Sequence, residues 1–473
     1  MQVRFASLIA GLRALGDGVT VVTPCINPPA SFHGAAVLPV WGAPLPFYKS
    51  PTLLLSPGIS FRLVRAMLTR RPTLIHASSP GVLVYAAIAW AKVLDVPLVV
   101  SYHTHIPAYI PSYTWAGLVG PMWWLIRAAV GAADLTLVPS GVMKAELAAH
   151  GCKARGIEVW PQAVDTAAFS PAHRSQAWHD RLAGGGVDAG RAVVLAYVGR
   201  LGNGKILRGR DGERKEAGFR ARTTTPFSSP FASLSLSSSE KNLFMLKDVL
   251  ARLPPHARLA FVGDGPARAD LEAHFAGTRT HFTGMLRGAD LGAAYASADV
   301  FVMPSSTETL GFVALEAMAS GLPAICAAAG GLVDIVTRPG EVGFLLPPTD
   351  VGAWAALAAR LVASPDERAR VGGAAREYVE GKGWAPAVAV VRDRQYRRAV
   401  RAHAARKGLR ARARHEAGRL VARALMVVAG LLALVWALFL RGGGAGGGAG
   451  FAVPPVAAPA PPAVARAGRD MMW

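Results

Sequence analysis

Short apolar runs closed by polar, Gly or Pro residues alternate with helix-spaced segments along most of this chain. In the first half Val19–Thr23, Leu74–His76, Val96–Ser101 and Leu135–Ser140 read as strands, with an Ala-rich helix around Val82–Val93. In the second half the strands are Ala192–Val198, Ala257–Val262, Val300–Met303 and the shorter Thr280–Thr283 and Pro323–Cys326. This alternation predicts an α/β fold with parallel sheets, two doubly wound Rossmann-like domains facing a cleft. The break is expected at the polar, Gly-rich stretch Arg174–Gly190, giving domains 1–185 and 190–400. Ligands in such sheets bind beyond the carboxyl ends of strands, here in the cleft.

Residues 203–239 interrupt the pattern. The strand ending at Gly199-Arg200-Leu201-Gly202 should turn directly into a helix, and Lys241–Leu250 is the matching helix. The 37 residues between hold charge clusters, three threonines in a row and a Ser-rich tail, the composition of a disordered insertion. A regulatory loop and retained non-coding sequence are both open readings.

At 473 residues, 52% apolar and 17% charged, the chain can build two or three cores and is not disordered as a whole. Its three cysteines, Cys25, Cys152 and Cys326, are too scattered for a disulfide framework or zinc site. The net charge of +21 is concentrated: Arg392–Arg423 holds 12 Lys/Arg against 2 Asp/Glu. That run leads into uncharged Ala424–Leu440, which counted from Leu420 predicts a single transmembrane helix over 420–440. Gly/Ala and Pro/Ala repeats fill the low-complexity tail 441–473. The basic run is therefore read as a membrane feature that attracts anionic lipids, not as a nucleic-acid site. The N-terminus lacks the apolar stretch and cleavage site of a signal peptide and leads straight from helical spacing into a strand.

Chemistry concentrates in Ser305–Pro323. A buried strand ending at Met303-Pro304 runs into a polar loop and an apolar helix, with Glu308 at the loop and Glu316 eight residues on. Ser306 or Thr307 is expected to cap that helix, leaving free N–H groups facing a phosphate. A capped surface helix with two solvated carboxylates is the alternative.

These pieces, in this order, resemble the retaining glycosyltransferases of family 4, which have the GT-B fold. Ile75–Gly81, Ser101–Pro111, Ala133–Ser140 and Phe282–Leu286 resemble in particular the sulfolipid-forming members of plastids and cyanobacteria. The likeness spans roughly residues 1 to 400, the insertion excepted. It implies transfer of sulfoquinovose from UDP-sulfoquinovose to diacylglycerol, at a chloroplast inner-envelope or thylakoid membrane. The high Ala, Gly and Arg content would suit a GC-rich green-algal source. Family members begin with a strand and a Gly-rich phosphate loop upstream of the helix that here starts at Met1. Truncation or loss of activity would follow from their absence.

The resemblance also implies roles. Arg200 and Lys241 match the cations that neutralise the leaving diphosphate, here split by the insertion. Glu316 would bind the ribose hydroxyls, Glu308 the donor sugar, and Gly284-Met285 the uracil. Thr309, Leu310 and Gly311 complete the donor site, and His103 would stand beside the anomeric centre. His105, Tyr109 and Tyr113 form a polar-aromatic cluster suited to the sulfonate or the acceptor glycerol, or equally to packing. The Trp-rich segment Tyr113–Arg127 reads as a lipid-facing surface, with a core helix as the alternative. No Asp-x-Asp occurs, so no metal is obligatory, although Mg²⁺ is compatible. Two other readings stay open: a lipid glycosyltransferase using UDP-galactose, UDP-glucose or GDP-mannose, and a degenerate, non-catalytic membrane scaffold.

Overall fold

The computed structural model describes residues 2–25, 27–44, 54–56, 58, 60–79, 81, 83–113, 116–186, 188–202, 242–408 and 470–472. Lys241, the 203–239 insertion and the apolar stretch 420–440 lie outside these, as do the side chains of Tyr109 and Tyr113. Among the described residues no helix is long and apolar enough to cross a membrane.

Strands buried on both faces read as continuous apolar runs, and those runs assemble here into two sheets. The second is the simpler. Its order is Thr280–Gly284, Ala257–Val262, Val193–Val198, Val300–Met303, Ala324–Ala327 and Phe344–Leu346, all parallel. Numbered along this half, that order is 3-2-1-4-5-6, which reverses direction between Val193–Val198 and Val300–Met303. Side chains beyond the carboxyl ends of these two strands therefore splay apart and leave a crevice.

The first sheet runs Ser31–Phe32, Ala35–Pro39, Gly18–Thr23, Asp470–Met472, Ile75–Ser79, Leu98–Tyr102, Leu135–Val138 and Ile157–Val159. All its neighbours are parallel except Ser31–Phe32. Its centre, where a first strand was expected to be missing, is bridged by three residues from the other end of the chain. Asp470–Met472 pairs with Gly18–Thr20 and, through Met472, with Ile75. The bridge fills only one end of the gap. Where the flanking strands continue, an apolar cavity of about 810 Å³ opens between Val21, Val22, Ala77 and Ser78, under Phe5 and Leu83.

The halves meet earlier than the Gly-rich stretch suggested. Trp160 sits in the first core, whereas Val164 and Leu182, the latter on helix Gln176–Leu182, already pack in the second. The last helices return to the first half. Trp384–Ala389 runs into a π-helical turn, Val390–Tyr396, and Val388, Val391, Tyr396 and Ala399 pack against Leu8, Leu12, Val99 and Leu135.

This return gives the described part of the basic run partners within the fold. Arg392 donates to both oxygens of Asp17 at 2.5 and 3.1 Å, and Arg398 pairs with Glu158. Arg406 bonds Asp134, a carboxylate that also accepts the Leu98 N–H at 2.9 Å, and Lys407 bonds Asp95. The described part of the run is a clamp on the first half's acidic groups. Its spacing matched a polybasic tail because both uses need the same residues.

Candidate active site

A cavity of about 340 Å³ lies where the carboxyl ends of both sheets meet. The second half contributes Tyr197, Val198, Gly199 and Arg200 from one side of the crevice and Met303 with Glu308–Val313 from the other. The first half contributes Arg4, His103, Thr104 and Pro139. Of the expected donor-site residues, the structure thus brings together His103, Arg200, Glu308, Thr309, Leu310 and Gly311.

The wall carrying Glu308 differs from the expected one. The helix begins at Phe312, not after Thr307, because Gly311 takes the left-handed conformation at φ 87° and serves as its N-cap. Residues 305–311 are a loop, and Glu308 lies in it. That loop is fixed through its backbone: Gly331 N–H donates to the Glu308 carbonyl at 2.7 Å. Gly330 approaches so closely that a Cβ there would sit 2.3 Å from the same oxygen. The Phe312–Ala319 helix turns its first N–H groups toward the cavity, alongside the exposed Arg200, a pairing of donors and cation suited to phosphate.

Glu316 does not reach the cavity lining. It stands half-buried on the helix, where Tyr295 Oη donates to its Oε2 at 2.9 Å. Burial raises its pKa above the ordinary carboxylate value, partly offset by that hydrogen bond. Gly284 and Met285 likewise lie outside the cavity. They stand at the carboxyl end of the neighbouring strand Thr280–Gly284, with Gly284 at φ 77° and the Met285 side chain 59% exposed.

His103 follows the strand Leu98–Tyr102 and enters the cavity, its ring 5.4 Å from Trp160 and 5.5 Å from Phe5. Its Nε2 is buried without a hydrogen-bond partner. Burial, reinforced by the Arg4 charge, lowers its pKa well below the usual histidine value, so the imidazole is neutral at pH 7. His105 goes elsewhere: its ring lies against Trp123 at 5.7 Å and its Nε2 is 3.9 Å from Glu146. The Trp-rich segment is divided. On helix Val119–Ala132 Trp123 is buried and stacks on His150 at 3.7 Å, while Trp124 is 63% exposed.

Arg4 was missed. It shares a helix face with Leu8 and Leu12, and all three are buried. A single cation on an otherwise apolar stripe was the signal available in the sequence. Among the described residues no group of three or more His, Cys, Asp or Glu could hold a metal ion.

Residues 1–168 match the model of Glycosyltransferase Family 4, and residues 231–364 that of Glycosyl transferases group 1. The chain is 42% identical over 400 residues to sulfoquinovosyl transferase SQD2 of Arabidopsis thaliana, covering 84% of this chain and 70% of that protein. The chain belongs to glycosyltransferase family 4. As a member of this family it is a hexosyltransferase. It is also 32% identical over 326 residues to a GDP-mannose-dependent alpha-mannosyltransferase of Mycobacterium tuberculosis, with 69% and 73% of the two chains covered. Its GT-B fold is shared with Anabaena Alr3699/HepE solved with UDP, at TM-score 0.58 and 20% identity over 82% of this chain and 94% of that one. Sucrose-phosphate synthase from Thermosynechococcus elongatus aligns at TM-score 0.59 and 22% identity, covering 82% and 91%.

Proposed function

We propose that this family 4 enzyme transfers sulfoquinovose from UDP-sulfoquinovose to diacylglycerol with retention at the anomeric carbon, forming sulfoquinovosyldiacylglycerol. The observation that carries this reading is the 42% identity to a sulfoquinovosyl transferase across 84% of the chain. The cleft supports it: cations, N–H donors, a carboxylate and a neutral imidazole converge in one cavity large enough for a sugar and its phosphates.

The chemistry follows from those groups. The leaving UDP carries its charge away, and Arg200, the N–H groups from Phe312 onward and Lys241 would neutralise it. The acceptor hydroxyl attacks from the face of the departing phosphate, whose oxygen takes its proton, so no protein nucleophile is needed. Glu308 would fix the sugar hydroxyls. His103, being neutral, can share a hydrogen bond with the sugar without adding charge. Glu316 would hold the ribose, and Gly284-Met285 the uracil at the next strand end. In this reading neutralisation rests on cationic side chains, and Mg²⁺ is not obligatory. The apolar 420–440 stretch would anchor the enzyme in a chloroplast membrane as a single transmembrane helix, with anionic lipids as neighbours.

The test is incubation of the full chain with UDP-sulfoquinovose and vesicles containing diacylglycerol, with mass spectrometry of the lipids. Sulfoquinovosyldiacylglycerol is expected. UDP-sulfoquinovose bound but unconsumed would instead make the protein a non-catalytic member of the family.

A further inference from the structure

Arg4 is 1% exposed, yet its guanidinium has no carboxylate partner. None of the ion pairs among the described residues involves it, and its Nε and Nη2 are buried without hydrogen-bond partners. It is held by faces instead of charges, 5.1 Å from the Trp160 ring and 5.3 Å from the Phe312 ring. Burial lowers its pKa only to about 9, so it remains charged at neutral pH. A buried unpaired cation is costly, and a fold that keeps one holds it for an absent anion.

The position of that anion is set by the walls around it. Arg4 lines the cavity from the first half, on the same side as His103, whose Nε2 is also unsatisfied. The groups suited to the diphosphate, Arg200 and the Phe312–Ala319 helix, belong to the second half. Two unsatisfied buried groups on one wall, a cation and a neutral imidazole, match a sugar edge bearing a negative substituent. His105, the earlier candidate for that substituent, is turned away toward Glu146.

We propose that Arg4 is the specificity-determining residue for the donor, binding the sulfonate of sulfoquinovose from the first-half wall of the cavity. This deepens the transferase reading and rests on it for the identity of the sugar. Trp160 and Phe312 fix the guanidinium plane, leaving its edge to pair with sulfonate oxygens through charge-assisted hydrogen bonds.

UDP-glucose differs from UDP-sulfoquinovose in carrying a hydroxyl in place of the sulfonate, which makes the pair a direct probe. Dissociation constants for both are to be measured by calorimetry on the full chain and on Arg4→Met and Arg4→Lys. The wild type should prefer the sulfonated donor. Arg4→Met should weaken UDP-sulfoquinovose about 100-fold, the size of a buried charge-assisted contact, and UDP-glucose less than threefold. Arg4→Lys should keep part of the preference, since charge remains but the fork is lost. Equal weakening of both donors would place Arg4 on the diphosphate and overturn the assignment, as would a wild type without preference. Arg4→Met should melt no lower than wild type, because an unpaired buried charge is removed. If it melts lower, Arg4→Lys decides: a reduced but persisting preference at wild-type stability supports the assignment, and equal weakening of both donors in that variant overturns it. Should the wild type show the Arg4-dependent preference yet make no sulfolipid, the transferase reading fails while Arg4 stands as the sulfonate site.

Discussion

Replacing Gly330 by Ala tests how rigidly the Glu308 loop must be held. Gly330 has φ 55°, and a Cβ built there lies 2.3 Å from the Glu308 carbonyl oxygen, against a floor of 3.0 Å for real Cβ contacts. The loop or the Gly330–Asp334 turn must therefore move by about 0.7 Å, which also disturbs the 2.7 Å bond from Gly331 N–H to Glu308. The left-handed backbone adds about 1 kcal/mol of strain for Ala. A misplacement approaching 1 Å at a substrate-positioning loop costs about 100-fold in rate, or about 2.7 kcal/mol of activation free energy. Gly340→Ala is the control, since Gly340 has φ 86° and its Cβ would meet nothing within 4 Å. It carries the same backbone strain without the collision. Steady-state kinetics with UDP-sulfoquinovose should show kcat/KM down about 100-fold in Gly330→Ala and near wild type in Gly340→Ala. If the two variants agree within threefold, the Glu308 loop is not a precision element and its role in the site is refuted.

Glu316→Gln should weaken UDP binding about tenfold in calorimetry, a charge-assisted bond to ribose becoming a neutral one; unchanged affinity would remove Glu316 from the donor site. The same variant carries a pH signature. Burial raises the Glu316 pKa in the folded state, so the fold binds a proton there that the unfolded chain releases, and stability from this group declines as pH rises through the raised value. The melting temperature of Glu316→Gln should therefore gain on wild type as pH rises above the ordinary carboxylate range; a constant difference would contradict the desolvation of Glu316. Asp134→Asn should cost about 2 kcal/mol in denaturant unfolding, since a buried carboxylate that accepts Leu98 N–H and faces Arg406 and His403 loses its charge. A cost below about 0.5 kcal/mol would mean that the C-terminal clamp is not tied down at Asp134. Internal deletion of 420–440, which spares Asp470–Met472, should shift the protein from the membrane pellet to the supernatant at high salt. Continued sedimentation would assign attachment to Trp124 and its exposed neighbours.

Five of the six strands of the second half were legible almost to the residue, because fully buried parallel strands such as Val193–Val198 and Val300–Met303 write themselves as unbroken apolar runs; the half-buried edge strand Phe344–Leu346 was missed. The cleft followed from them. Helix starts were less legible. Phe312–Ala319 begins four residues beyond Glu308 because Gly311, not a hydroxyl side chain, ends the loop, and Cβ-free contacts with Gly330 are invisible to local pattern. Likewise Leu246–Ala251 starts late, after Asn242 at φ 49° and a 3₁₀ turn. Long-range facts were not legible at all. Nothing near Asp470 marks it as a sheet strand, since only pairing with residues some 450 positions away gives it that role. The basic residues from Arg392 to Lys407 advertised charge without showing that their partners, Asp17, Asp95, Asp134 and Glu158, lie in the first half. Arg4 drew no reading from the sequence, because the rings that enclose it, Trp160 and Phe312, are distant in the chain.

The central claim is that donor chemistry takes place in the cavity where the two sheets meet. A crystal structure of the full chain soaked with UDP-sulfoquinovose tests it most directly. The diphosphate should lie against Arg200 and the N–H groups of Phe312 and Val313, with the sugar between His103 and Glu308 and its sulfonate on Arg4. A donor bound elsewhere, or one whose diphosphate stands away from Arg200 and that helix start, would contradict the account.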